Sequence, residues 1–189
     1  MSIQLSHDLD KLSRIFSGEK IEKARNIAAN KTANKARTAV STAIREQYSV
    51  LARDVSKTVK LRKGDQIGER VLLYTGARIG LDKFSPKVVL NKARSDRKAS
   101  SISVKIKKKG PRKVLKGRRG FGAFMADLNG EKIFMRKTRN RLPIRRLTTI
   151  SVPDMVLHNS VLTAFEKTVE KEYPIQIERA LDYQLGFHR

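Results

Sequence analysis

Nine of the fifteen residues from Lys105 to Arg119 are lysine or arginine, and none is acidic. The set Lys105, Lys107, Lys108, Lys109, Arg112, Lys113, Lys116, Arg118 and Arg119 cannot enter an apolar interior, because an unpaired buried charge is too costly to desolvate. It also repels itself in a compact chain unless something anionic lies close. The stretch begins in a strand-like alternation and continues past it into Gly110-Pro111, so some of its lysines are expected on a sheet face and the rest on a loop. Over the 189 residues, 42 basic side chains stand against 18 acidic ones, a net charge of +24. Residues 1–59 carry +5, residues 60–119 carry +16, residues 120–149 carry +5 and the last forty carry −2. Positive charge is concentrated at the centre, not spread as a solubilising coat. Each cation that neutralises a phosphate displaces a condensed counterion, so the cluster predicts strong, sequence-tolerant and salt-dependent contact with nucleic acid. The other reading of the same charges is a solvated loop, or one that meets an acidic patch on a partner protein.

Composition narrows the classes further. Hydrophobic residues are 39% of the chain, enough for a modest core and against wholesale disorder. With no cysteine there is no disulfide framework, no thiolate nucleophile and no cysteine-type zinc site. The three imidazoles, His7, His158 and His188, have no metal-ligand spacing among them. No apolar run approaches the roughly 20 residues that span a bilayer. Met1-Ser2-Ile3-Gln4 lacks the basic flank and apolar stretch of a secretory leader. The expectation is a protein without cofactor, metal or membrane contact, made and used inside a cell or particle.

From Glu19 to about Tyr48 the apolar positions Ile21, Ala24, Ala28, Ala36, Val40, Ala43 and Ile44 recur at three- and four-residue steps, which predicts a long amphipathic helix. Its stripe is mostly alanine and so permits close approach of another backbone. Ser17-Gly18 separates it from a shorter helical stretch around Asp8 to Phe16, in which Asp8 and Asp10 suit the first turn. A short helix follows over Ala52 to Val59. Residues 70–109 read as strands: Val71–Tyr74, Lys87–Leu90, and an alternating Ser101–Lys107 with Ile102, Val104 and Ile106 on one face. Asn129-Gly130 between two apolar runs predicts a hairpin over Phe124 to Lys137. Arg141–Ile144 reads as an extended segment fixed by proline, and Ser151-Val152-Pro153-Asp154 as a helix start. Leu157, Val161, Phe165 and Val169 form one helical stripe, and Ile177, Leu181 and Leu185 a second, with Pro174 dividing or kinking the helix. The order predicts an α+β fold: a helical arm over 1–59, a basic β-rich core with a small antiparallel sheet over 60–149, and a helical region over 150–189 packed on it as one structural domain. No internal repeat is visible.

Arg119–Met125 resembles the aromatic strand of an RNA-recognition module, but Phe121 and Phe124 are three apart and cannot stack two bases from one face. The expectation is that Phe124 belongs to the core. Asp127 and Glu131 flank the hairpin turn, yet a metal-dependent nuclease needs further converging carboxylates, and no third candidate stands near. No P-loop or nucleophile elbow occurs. No catalytic residue is assigned, and the chain is expected not to be an enzyme.

Taken in order, Asn34–Ala39, Ser103–Ile106, Gly122-Ala123-Phe124, Arg141–Ile144 and Ser151-Val152-Pro153 resemble the minor tail protein Z family of long-tailed bacteriophages, also called tail completion proteins. The resemblance runs from roughly Ala28 to Leu185. The chain departs from the family pattern at Phe121, where members often carry proline, and at Thr149-Ile150, where they often carry Gly-Pro. The resemblance implies a structural protein of the virion neck, formed in the host cytoplasm and added at the head-proximal end of the tail. It further implies a homo-oligomeric ring, expected to be hexameric, between tail terminator or tube proteins and the head-tail connector, with viral DNA in the channel. Composition alone equally allows a cellular, sequence-nonspecific RNA-binding protein of the ribosome-associated kind.

Overall fold

A computed structural model describes residues 17–90, 100–116, 122–128, 130–138 and 140–186. The expected opening helix with Asp8 and Asp10 lies outside the described residues, as do His7, His188, Phe121, Arg118 and Arg119. The chain order is α1 (Gly18–Gln47), α2 (Ala52–Ser56), β1 (Val59–Lys63), β2 (Arg70–Tyr74), a 3₁₀ turn (Leu81–Lys83), β3 (Lys87–Leu90), β4 (Ser100–Val104), β5 (Lys113–Val114), β6 (Phe124–Asp127), β7 (Glu131–Arg136), β8 (Ile144–Arg146), α3 (Val152–Val156) and α4 (Asn159–Leu185). This is the α+β order read from the sequence. The strands form small sheets in the orders β1-β2, β3-β4-β5 and β6-β7-β8, where the sequence suggested one. Proline and glycine at 86, 110–111 and 122 fall between short strands and end each ladder early. β1 was not anticipated: the short helix stops at Ser56, and Val59 opens a strand.

Two compact units divide the chain, Met1–Val40 with Val59–Leu73 and Leu162–Arg189 in one, Ser41–Thr58 with Tyr74–Val161 in the other. In the first, Ala24, Ala28, Ala29, Ala33 and Ala36 of α1 are buried, as their spacing requires. Ala24 and Ala28 pack with Ala180, and Ile27, Tyr173, Ile177 and Leu181 close around them. Small side chains let the backbones come near, while the larger partners supply most of the apolar area. Ile21, read as part of the stripe, is instead 36% exposed one turn before it. Gly68 has φ +80° and donates its amide to Asn26 Oδ1 at 3.3 Å; Arg70 also reaches Asn26, which ties β2 to α1. A Cβ there would stand 3.3 Å from the Arg25 Cβ, so both conformation and space favour glycine.

In the second unit the buried side chains include Ile44, Tyr48, Val55, Phe84, Ile102, Val104, Ile133, Phe134, Val152, Met155 and Val161. β3, β4 and β5 pair antiparallel, as do β6, β7 and β8. The predicted hairpin is present with Asp127 opposite Glu131, and Gly130, at φ +96°, donates its amide to Asp127 Oδ1 at 2.9 Å. Asp127 is thereby a turn residue. Leu142-Pro143 is cis, and the segment turns into β8. Ser151 caps α3 in a reciprocal box with Asp154, whose carboxyl its hydrogen bonds with Ser151 hold below the usual carboxylate range. Leu157, read as part of the first C-terminal stripe, is 69% exposed at the end of α3.

Pro174 neither divides the last helix nor ends it; α4 runs through it as one helix. Both Pro174 and Glu170, whose carbonyl loses its helical donor there, are exposed, so water can satisfy that carbonyl. Among the described residues, no helix is long and apolar enough to cross a membrane, and no group of three His, Cys, Asp or Glu could hold a metal.

Candidate nucleic-acid interface

The second unit holds 26 basic and 7 acidic residues, a net of +19, while the first holds 16 and 11, a net of +5. The central cations begin where β4 ends. β4 stops at Val104, so Lys105 and Lys107 leave the sheet face that the alternation assigned to them. The main chain is then captured by Phe84 and by the residues at and just after the end of α1. Lys105 N donates to Phe84 O at 3.1 Å, Ser49 N to Ile106 O at 2.9 Å, and Lys108 N to Gln47 O at 2.8 Å, with an antiparallel bridge between Tyr48 and Lys107. Gly110 N closes a turn on Lys107 O at 3.2 Å. The chain returns as β5, where Lys113 pairs with Val104 and Val114 with Ser103. Lys116 bridges to Gly122, and Ala123 N reaches Leu115 O.

This basic connection is therefore a strapped hairpin. Its main chain is tied down through Lys105 N, Ile106 O, Lys108 N and Gly110 N, while Lys107, Lys108, Lys109, Lys113 and Lys116 are exposed and Lys105 is half-buried. Among the described residues no carboxylate lies within ion-pair distance of these six lysines. The C-terminal end of α1, with its partial negative charge, sits against the strap and offsets some of the mutual repulsion. Tyr48 at that junction is buried, and burial pushes its phenol pKa up.

Arg112 behaves differently from its neighbours. Its Nε donates to Ser103 Oγ at 3.3 Å, and its Nη2 donates to Ser103 O at 3.1 Å and Ser85 O at 2.5 Å. It covers Ser103, which explains why that residue is buried on the face that the sequence pattern left to solvent. Arg118 and Arg119 complete the predicted set but lie outside the described residues.

The other candidates carry less. Phe124 is half-buried and stacks on Phe134, ring centroids 6.2 Å apart, as a core-edge residue and not a base platform. Asp127 and Glu131 are both exposed at the turn. His158 is exposed and shares a 3.0 Å hydrogen bond with Ser160 Oγ. A cation group that the sequence reading counted but did not single out stands on β7, β8 and the connection between them: Arg136, Lys137, Arg141 and Arg145 are all exposed. The available signal was the acid-free text from Lys132 to Pro153.

The chain matches no curated protein and no solved structure. The segments quoted for the resemblance fall at structurally defined places: within α1, across the end of β4, at the entry to β6, at the turn into β8 and at the cap of α3. Residues 5–188, nearly the whole chain, match the family described as prophage minor tail protein Z; the chain belongs to that family and is a phage tail protein.

Proposed function

We propose that this chain is a structural, non-catalytic completion protein at the head-proximal end of the tail, where it forms a ring and enables head joining. Its belt of Lys105, Lys107, Lys108, Lys109, Lys113 and Lys116, with Arg118 and Arg119, faces the DNA in the channel and grips phosphate without reading bases. Arg112 braces the belt. The neighbours in this reading are tail terminator or tube proteins on one side and head-tail connector proteins on the other. The observation that carries it is the combination of a strapped main chain with exposed lysines that have no ion-pair partner among the described residues. Ordering a free loop costs about 1–2 kcal/mol per residue, and a strap already hydrogen-bonded to α1 avoids most of that cost on binding. A closed ring would bring several belts together, and a polyanion in the lumen relieves the repulsion.

The test is binding of short duplex DNA by the full chain across about 50 to 200 mM salt. Replacing Lys107, Lys108, Lys109 and Lys113 with Gln should weaken binding to all sequences alike and lower the log–log salt slope by about 3.6, at roughly 0.9 per phosphate contact. An unchanged slope would mean that the belt faces protein. The cellular RNA-binding reading predicts instead a monomer by native mass and displacement of duplex DNA by structured RNA. Mg²⁺-dependent cutting of plasmid DNA, abolished by Asp127→Asn, would favour a nuclease; no cutting is expected.

A further inference from the structure

The β6-β7-β8 sheet narrows along its length. β6 pairs with β7 from Glu131 to Phe134, while β8 pairs from Phe134 to Arg136. Beyond Phe134, β7 and β8 continue as a two-stranded ribbon, Met135 opposite Arg145 and Arg136 opposite Ile144, with Lys137 N donating to Pro143 O at 3.0 Å. Directly paired residues share a face, and so do residues two apart along a strand. Lys137 and Arg145 therefore lie on one face with Met135, and Arg136 lies on the other with Phe124, Phe134 and Ile144. The Arg136 guanidinium stands 5.9 Å from the centre of the Phe124 ring. That ring is backed by buried Phe134, so the arginine is steadied without losing its charge. Arg141 adds a cation in the turn, beside Leu142, which is 66% exposed.

All four cations are exposed, and among the described residues no carboxylate is within ion-pair distance of any of them. Arg146 is the contrast: Asp82 takes its Nη2 at 2.9 and 3.3 Å, which leaves it a structural residue. A ribbon with charge on both faces and at its tip is poorly suited to a flat acidic protein surface, because one face would always turn its cations away. It is suited to a cleft with anionic walls on two sides. A single strand layer with its side chains is about 10 Å thick, and the major groove of B-form DNA is about 12 Å wide between phosphate walls.

We infer that the β7–β8 ribbon is a second DNA-binding element, entering the major groove of a duplex end-on and holding phosphates of both walls through Arg136 on one side and Lys137 and Arg145 on the other, with Arg141 at the tip. This rests on the DNA-gripping reading above but uses none of the belt residues. Guanidinium forks take phosphate oxygens in pairs, so three arginines here hold more firmly than the lysines of the belt. The narrow, deep major groove of A-form RNA would not admit the ribbon.

The experiment measures salt-dependent binding of the full chain to duplex DNA and to duplex RNA, for the parent, for the ribbon variant Arg136→Gln/Lys137→Gln/Arg141→Gln/Arg145→Gln, and for the belt variant. The ribbon variant should lower the DNA slope by about 3.6 and leave the RNA slope and the unfolding midpoint unchanged. An unchanged DNA slope for the ribbon variant, with a lowered one for the belt variant, overturns the ribbon and leaves the belt standing. The opposite pair of results keeps the ribbon and removes the belt. Equal losses on DNA and RNA overturn the groove placement. Parent-like DNA binding with failed incorporation into particles assigns the ribbon to a protein partner and also overturns the inference. If the fourfold variant is unfolded, Arg141→Gln/Arg145→Gln should lower the slope by about 1.8, and no change there is equally decisive.

Discussion

Replacing Arg112 with Ala separates a brace from a phosphate ligand within one basic run. Three hydrogen bonds would be lost, two to Ser103 and one to Ser85. Ser85 sits at φ +46°, a left-handed position that a non-glycine residue holds only against a steric penalty. The Arg112 contact to its carbonyl helps to maintain that turn. A hydrogen bond from a charged donor contributes about 1.5–3 kcal/mol when enclosed. Arg112 is only half-buried, so roughly half of that applies to each bond, and the total for three bonds is about 2–4.5 kcal/mol. For a chain of this size, 1 kcal/mol moves the unfolding midpoint by about 2–4 °C, so Arg112→Ala should lower Tm by about 4–18 °C. Lys109→Ala, on the same hairpin but exposed and without an ion-pair partner among the described residues, should move stability by less than about 0.5 kcal/mol. Thermal unfolding followed by far-UV circular dichroism reads both. A parent-like midpoint for Arg112→Ala, together with a DNA slope lowered as much as for a neighbouring lysine, would refute the reasoning and return Arg112 to the phosphate-binding set.

The first unit offers further tests. Thr32 is 4% exposed, its hydroxyl has no hydrogen-bond partner among the described residues, and it borders a groove of about 370 Å³ lined by Ala29, Ala33, Ala36, Leu72 and Phe165. Thr32→Val should stabilise the protein by about 1 kcal/mol in urea unfolding; destabilisation would show that the hydroxyl has a partner. Ala28 is fully buried against Ala180 and its neighbours, so Ala28→Leu should overpack the helix contact and cost about 1–3 kcal/mol, read by the same assay. Glu172 accepts from Lys35 Nζ at 2.5 Å, and that bond, with a second from Gln176, holds its carboxyl below the usual range. A depressed carboxylate contributes stability above its unfolded pKa of about 4.3 and loses it as pH falls through the native value. The stability difference between the parent and Lys35→Met should thus be constant near neutrality and shrink below about pH 4.3; a difference that grows on acidification would contradict the pairing.

Much of the fold was legible because its signals are local. The three- and four-residue spacing of Ala24, Ala28, Ala36, Val40, Ala43 and Ile44 specifies α1 directly, and each of these side chains is buried. The capping sequence at Ser151 and the turn at Gly130 likewise depend on residues within reach of each other in the chain. What was missed depends on distant partners. Lys105 and Lys107 continue a perfect alternation, but Phe84 takes the Lys105 amide, and Gln47, Tyr48 and Ser49 capture the main chain from Ile106 to Lys108, which ends the strand. Ser103 looks like a solvent-facing residue until Arg112, nine positions on, folds over it. Pro174 reads as either a division into two helices or a kink in one, and its exposed position lets a single helix continue through it. The basic belt was visible as composition. Its division into exposed lysines, one bracing arginine and a separate charged ribbon required the strand register.

The central claim is that the exposed lysines of the strapped hairpin meet the genome. An electron cryomicroscopy map of the filled particle that resolves this chain in the tail would test it most directly. The account predicts the ammonium groups of Lys107, Lys108 and Lys109 within direct or water-bridged reach of duplex phosphate, with the strap to Gln47 and Tyr48 intact. Those three side chains pointing into bulk solvent or onto an acidic protein surface, with DNA passing elsewhere, would contradict it.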